Sequence, residues 1–430
     1  MNYGSRSFLL LLLMALCSIL VADAGIYQTP LTIPTYGVND PDPNPRFYNG
    51  RVYQGAQGRI YPYPMSDVLT NELTDKEYTA VYLENDFIKI CVLPEIGGRI
   101  FKAVDKTNGY DFFYKQSVIK PSLIGMLGAW MSGGVEWNFP HHHRANTFMP
   151  MDYMMQDNPD GSKTLWLTEI EQRHRMKMLI GLTIHPNSSV LQAEFKFFNR
   201  TPLVHSFLYF ANPAVHVDST YQVIFPPEVE YVTQHAKREF AQWPIADARY
   251  GGFDYNNVDI SWWKNLPKPV SFFAWDHSSD YFAGYDHGKD AGVAYVANVH
   301  LAPGKKFFTF GCEDQGKMWD KMLTDTDGPY LELMAGAYSD NQPDYSWIQP
   351  YETKSVKQFW FPIRDLGGMS YANLNGALHL SVKDQKAQLN ILTTSPHDDA
   401  KVTLTADDNI IMQQTVSMAP GSAFQTEIDL

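Results

Sequence analysis

The sequence predicts an all-β protein, an antiparallel sandwich or barrel, and three observations carry that expectation. Short apolar runs with two-residue alternation recur along the chain. Turns rich in Gly, Asn and Asp separate them at close intervals. No segment shows the period of a long amphipathic helix. At 430 residues the chain has room for one large β domain and a smaller one.

Residues 1–24 read as a secretory signal peptide. Arg6 supplies the positive start, Phe8–Val21 is almost unbroken apolar sequence, and Ala22-Asp23-Ala24 gives a small-residue cleavage pattern. The run is short for a membrane span, so the expectation is export to the periplasm or outside the cell, with no span after cleavage. The net charge of −13 argues against nucleic acid or an anionic membrane as partner, and no protein partner is legible. Cys17 leaves with the signal. Cys91 and Cys312 remain, in strand-like apolar contexts that suit either one disulfide or buried thiols.

Residues 25–77 are rich in Pro, Gly, Asn and Tyr and show no sustained period. They read as an extended arm wrapping the main domain, with one strand near Arg59–Tyr63. From Tyr78 the pattern turns to β and holds to residue 368. Tyr78–Leu83 and Phe87–Leu93 flank Glu84-Asn85-Asp86, and Asn108-Gly109 is a hairpin signal between Arg99–Asp105 and Asp111–Tyr114. Further strands are expected at Thr164–Glu171, Met176–His185, Val190–Asn199, His205–Asn212, Tyr281–Tyr285, Gly292–His300 and Lys306–Phe310. Met318–Leu323 reads as a short helical turn. After Gly367-Gly368 the tryptophans stop, and residues 369–430 read as a small β module with strands at Gln388–Leu392, Lys401–Thr405 and Ile410–Val416.

The densest chemistry lies in Gly133-Gly-Val-Glu-Trp-Asn-Phe-Pro-His-His-His-Arg144. Tandem glycines allow backbone conformations closed to other residues, and a carboxylate, an indole and three histidines follow. Such a cluster suits a binding or catalytic surface, here one wall of a sugar site. Alternation along extended chain lets His141 and His143 share a face, with His142 opposite. Nothing downstream has ligand spacing for a metal, and no phosphate loop, dinucleotide fingerprint or nucleophile elbow calls for a cofactor. Asp325 and Asp327 could hold calcium, but their spacing is not that of an EF-hand, and an ordinary turn accounts for them.

Three other stretches are candidates. His216 ends the apolar run Asn212-Pro-Ala-Val-His216, a place where a lone histidine is more often a satisfied structural residue. His235 and Trp243 flank Lys237-Arg238. Glu332 sits between Leu331 and Leu333 on a strand, so alternation puts it on the face opposite both. If that face lines a cleft, desolvation raises its pKa and makes it a general base.

Leu93–Tyr114 (LPEIGGRIFKAVDKTNGYDFFY), Tyr209–Val217 (YFANPAVHV) and Tyr330–Tyr345 (YLELMAGAYSDNQPDY) resemble segments of the galactose-mutarotase-like, or aldose 1-epimerase, superfamily. More closely, the chain resembles a bacterial branch often found ahead of tetratricopeptide repeats. The resemblance implies a galactose-mutarotase-like β-supersandwich followed by a small β-sandwich module. It also implies His216 as acid and Glu332 as base. The Glu136-Trp137 pair is not an epimerase feature and supplies a second carboxylate. The expected activity is therefore that of an exported carbohydrate-active enzyme working at an anomeric centre on an oligosaccharide. The expected reaction is glycoside hydrolysis by Glu332 and Glu136. Arg99, His141, His142, His143, His216 and His235 would orient hydroxyls, with Trp137 and Trp243 against sugar rings. The alternatives are mutarotation, which needs only Glu332 and a histidine, and a carbohydrate-binding module without catalysis.

Overall fold

A computed structural model describes residues 23–41, 60–124, 127–407 and 409–430. The expected signal peptide, apart from its last two residues, lies outside the described residues, as do residues 42–59 of the expected arm.

Two large antiparallel sheets face each other. The first has twelve strands, running in space as Gly25–Val38, Leu69–Glu84, Ile88–Leu93, Arg99–Asp105, Val135–Asn138, Tyr209–His216, Tyr330–Ala337, Gly304–Thr309, Val270–Trp275, Tyr231–Thr233 and Phe240–Gln242, with Asp111–Phe113 beside Arg99–Asp105. The second has eight: Tyr221–Ile224, Tyr281–Asp286, Ala291–Val296, Thr353–Arg364, Leu191–Phe198, Lys177–Ile184, Lys163–Ile170 and Asp152–Asp157. This is the all-β, two-layer architecture expected from the alternating runs.

The core between the sheets follows from strand alternation. Val135, Trp137, Tyr209, Ala211, Val215, Leu331, Leu333 and Phe307 of the first sheet meet Leu165, Leu167, Ile180, Leu182, Phe195, Phe197 and Trp360 of the second. Each large apolar side chain buried there contributes roughly 1.5–3 kcal/mol. The residues between them necessarily point to the other side of the first sheet, hereafter its far face.

Three elements differ from expectation. Gly25–Val38, read as a featureless arm, is a strand paired with Leu69–Glu84 from Gly25↔Glu84 to Val38↔Leu69. Its Pro30 and Pro34 are tolerated because it is the edge strand, where one row of N–H groups has no ladder to serve. The strand expected near Arg59–Tyr63 is not formed: Arg59 lies outside the described residues, and residues 61–63 turn. The short turn expected at Met318–Leu323 is a ten-residue helix, Asp314–Leu323.

Past the second sheet, Tyr371–Asn373, Gly376–Lys383, Lys386–Thr393 and Phe424–Asp429 form a four-stranded sheet, beside the hairpin His397–Ala406 and Asn409–Met418. Leu366, Met369, Ala372, Ala377 and Leu392 pack on Tyr281, Ala283, Tyr285, Phe361 and Ile363, which face outward from the second sheet. Cys91 and Cys312 are both free thiols. Among the described residues no helix is long and apolar enough to cross a membrane.

Candidate functional site

The tandem glycines set the first wall. Gly133 and Gly134 both have positive φ, and a Cβ on Gly134 would lie 1.8 Å from the Ile100 carbonyl oxygen. Glycine therefore lets Val135–Asn138 lie against Arg99–Asp105. Alternation sends Val135 and Trp137 into the core and Glu136 and Asn138 to the far face. Register does the rest. Asn212 pairs with Glu136, Ala214 with Glu332, and Glu332 with Phe308, so both glutamates and Asn212 share that face. Two strand intervals separate the glutamate strands, about 10 Å.

The two carboxylates are in different states. Glu136 is 2% exposed and accepts hydrogen bonds from Trp130 Nε1 (3.1 Å), Asn138 Nδ2 (3.2 Å), His143 Nδ1 (2.8 Å) and Thr147 Oγ1 (2.6 Å). Burial pushes its carboxyl up, but His143, Arg99 and His142 outweigh burial and hold it well below the ordinary range. It is a saturated anion. Glu332 is 7% exposed, with the Tyr330 hydroxyl at 3.4 Å and Asn212 beside it. Desolvation holds its carboxyl above the ordinary value despite the opposing pull of His143 and Lys306.

Lys306 lies diagonally across the strand pair from Glu332, since Phe308 is opposite Glu332 and Met334 opposite Lys306. Its ammonium donates to Gln342 Oε1 (2.7 Å), meets His235 Nε2 (3.2 Å) and sits over the Phe273 ring. Burial draws its pKa down, against the charge of Glu332. Several deeply buried polar atoms of this cluster have no protein partner: Arg99 Nε and Nη2, Asn138 Oδ1, Asn212 Oδ1, His142 Nδ1 and Gln342 Nε2. Arg99 spends only Nη1, on the Gly133 carbonyl (2.6 Å).

The remaining expected residues divide. His142 and His143 stand side by side, ring centroids 3.9 Å apart, and both join the cluster. His141 turns away to His174 and Tyr345. The expected pairing of His141 with His143 is therefore corrected: residues 140–143 are a bend, not a strand, so alternation does not apply. His235 joins through Lys306. His216 does not: its Nε2 accepts from Lys115 N (3.3 Å) and its ring lies 4.1 Å from the Tyr114 ring, beyond Tyr330 from Glu332. Trp137 is wholly buried between the sheets, its Nε1 donating to the Gly98 carbonyl, and cannot stack on a ligand. Trp243 packs on Phe225 and Phe307, on the core side. Asp325 is taken by Lys120 and Tyr36, and Asp327 by Ser117 and Thr324. Among the described residues no group of three or more His, Cys, Asp or Glu side chains has the arrangement of a metal site.

Sequence reasoning missed Lys306, Gln342 and Tyr330. The signal for Lys306 was present: Gly304-Lys-Lys-Phe-Phe-Thr309 places two lysines in an apolar strand, where one must face each side.

A family profile described as a domain of unknown function (DUF5107) matches residues 56–363, and one described as the second domain of YphG-like proteins matches residues 371–430. A solved TPR-domain containing protein from Parabacteroides distasonis is similar at 20% identity and a TM-score of 0.67, covering 79% of this chain and 55% of that one. This chain thus spans little more than half of that protein's length. A galactose mutarotase-like protein from Clostridium acetobutylicum is similar at 11% identity and a TM-score of 0.43, covering 67% of this chain and 96% of that one. A galactose mutarotase related enzyme from Lactobacillus acidophilus has 11% identity and a TM-score of 0.43, covering 66% and 97%.

Proposed function

The chain belongs to the DUF5107 family, and from that premise we propose that it is a carbohydrate-active enzyme moving protons at an anomeric centre by epimerase-type chemistry. One observation carries this reading: of the two carboxylates on the far face, only Glu332 is left without a full set of donors, in a setting that raises its pKa.

In the proposed reaction Glu332, ionised, removes the proton of the anomeric hydroxyl. His143 gives a proton to the ring oxygen, the bond between that oxygen and the anomeric carbon breaks, and an open-chain aldehyde forms. Rotation and the reverse steps close the ring on the other face. Glu136 orients His143 by accepting from Nδ1, which leaves Nε2 for the ligand. Lys306 tempers the pKa of Glu332. The unpartnered atoms of Arg99, Asn138, Asn212, His142 and Gln342 suit a ligand carrying many hydroxyls.

Hydrolysis by two carboxylates fits less well. It would require Glu136 to act as acid or nucleophile, and its oxygens already accept four hydrogen bonds. Export is part of the same proposal, carried by Arg6 and the apolar run Phe8–Val21.

The test is polarimetry on freshly dissolved neutral and acidic aldoses, with a reducing-end assay on glycans in parallel. Faster mutarotation without new reducing ends is expected. New reducing ends, or ligand binding with no acceleration on any sugar, would overturn the proposal.

A further inference from the structure

A second feature of the far face bears on which sugar the site takes, and it rests on the reading just given. Cys91 lies opposite both Tyr82 and Lys102, and Leu93 opposite Arg99, so these side chains share the face that carries Glu332. Between the edge strand and Arg99–Asp105 runs a groove of about 580 Å³, lined by Lys89, Lys102, Lys106 and Lys115 together with Tyr82 and Gln116.

The charge there runs against the rest of the chain, whose net charge is −13. Glu84 meets both Lys89 and Lys106 at 2.8 Å, and Asp111 lies 3.6 Å from Lys102. No carboxylate partners Lys115 among the described residues. With Asp327, which accepts from the lining residue Ser117, four ammonium groups stand against three carboxylates, so the groove stays cationic. Lys89 also lies over the Tyr82 ring, so an apolar floor and positive charge occur together.

Gln116 gives independent support. It is 1% exposed, its Nε2 donates to the Ser132 carbonyl (2.8 Å), and its Oε1 has no partner although it lines the groove. A buried acceptor without a donor is suited to a hydroxyl. Gln116 also joins the two regions. Its partner Ser132 precedes Gly133, whose carbonyl accepts from Arg99 Nη1, and Arg99 in turn feels the charge of Glu136 and Glu332.

We infer that the groove is a subsite for an anionic stretch of the sugar ligand, so that the substrate is the reducing end of an acidic oligosaccharide rather than a neutral one. The lysines would hold carboxylate or sulfate groups, Tyr82 would lie against a ring, and Gln116 would accept from a hydroxyl. The next sugar would then reach Glu332.

The experiment is calorimetric titration of the full chain with tetragalacturonate, with neutral galactotetraose, and with a sulfated galactotetraose, at low and at moderate salt. Lys102→Ala/Lys115→Ala is compared with wild type and with the charge-retaining Lys102→Arg/Lys115→Arg, and circular dichroism checks that each is folded. An acidic ligand is expected to bind about tenfold tighter than the neutral one. That advantage should shrink with salt, vanish in the alanine pair and survive in the arginine pair. Preference for the sulfated ligand alone supports the groove with sulfate as its anion. Equal binding of neutral and acidic ligands, with no effect of the alanine pair, overturns the groove and leaves the sugar reading standing. Binding of none of the three overturns the groove, while polarimetry on aldoses decides the sugar reading separately.

Discussion

Replacing Glu136 by alanine separates a structural hub from a catalytic acid. The substitution would leave four buried donors facing a void: the Trp130 indole, the Asn138 amide, the His143 imidazole and the Thr147 hydroxyl. An orphaned buried donor costs about 1–3 kcal/mol, which bounds the loss at roughly 4–12 kcal/mol before relaxation. Breaking a buried charged pair by removing one partner costs about 3–5 kcal/mol in practice, and that is the expected loss here. Glu136→Gln should be much milder. Its oxygen can take the position bound by Trp130, Asn138 and His143, while its amide faces Thr147, whose hydroxyl can turn to accept. A loss of about 1–2 kcal/mol is expected, chiefly from the missing charge. Urea denaturation followed by tryptophan fluorescence and far-ultraviolet circular dichroism reads both values. Alanine and glutamine variants that unfold at the wild-type midpoint would refute the hub.

Other predictions follow from the same geometry. The carboxyl of Glu136 is depressed in the fold, so its stabilising contribution is present above the unfolded carboxylate pKa and is lost as pH falls through the folded value. The stability gap between wild type and Glu136→Gln should therefore hold at neutral pH and close only in acid, below about pH 4; a gap that widens on acidification contradicts the assignment. Glu332 is raised by desolvation, so the acid limb of the rate profile should lie above the usual carboxylate range, and Lys306→Met, which removes a charge pulling it down, should move that limb to higher pH. A limb that moves down would exclude Lys306 from the site. Trp137→Ala should destabilise by about 3–5 kcal/mol through the cavity it leaves, while sugar affinity of the folded fraction stays unchanged in titration. His216→Asn should keep the rate within a few-fold, measured by polarimetry.

The fold was legible because period-two alternation and Asn-Gly or Asp-Gly turns report directly on strands and hairpins. Gly25–Val38 escaped because its prolines argue against a strand, and only position at a sheet edge makes them harmless. The site was legible in part. Alternation placed Glu332 opposite Leu331 and Leu333, as found. The same rule, applied to Val135–Asn138, separates Glu136 from Trp137 and would have kept the indole out of the sugar site. His141 and His143 were paired by a strand rule in a segment that bends after Pro140. Tyr330, two residues before Glu332 on the same strand, follows from the same alternation; Lys306 meets Glu332 only through the register of Gly304–Thr309 on Tyr330–Ala337, and Gln342 lies in a bend, which no local pattern encodes.

The central claim is that Glu332 transfers the proton while Glu136 holds the scaffold. Its most direct measurement is the mutarotation rate of Glu332→Gln, taken with sugar affinity from titration on the same preparation. The substitution keeps shape and removes the base, so the rate enhancement should fall by about 10²–10⁴ while affinity changes little. A Glu332→Gln enzyme that turns over at the wild-type rate would contradict the claim.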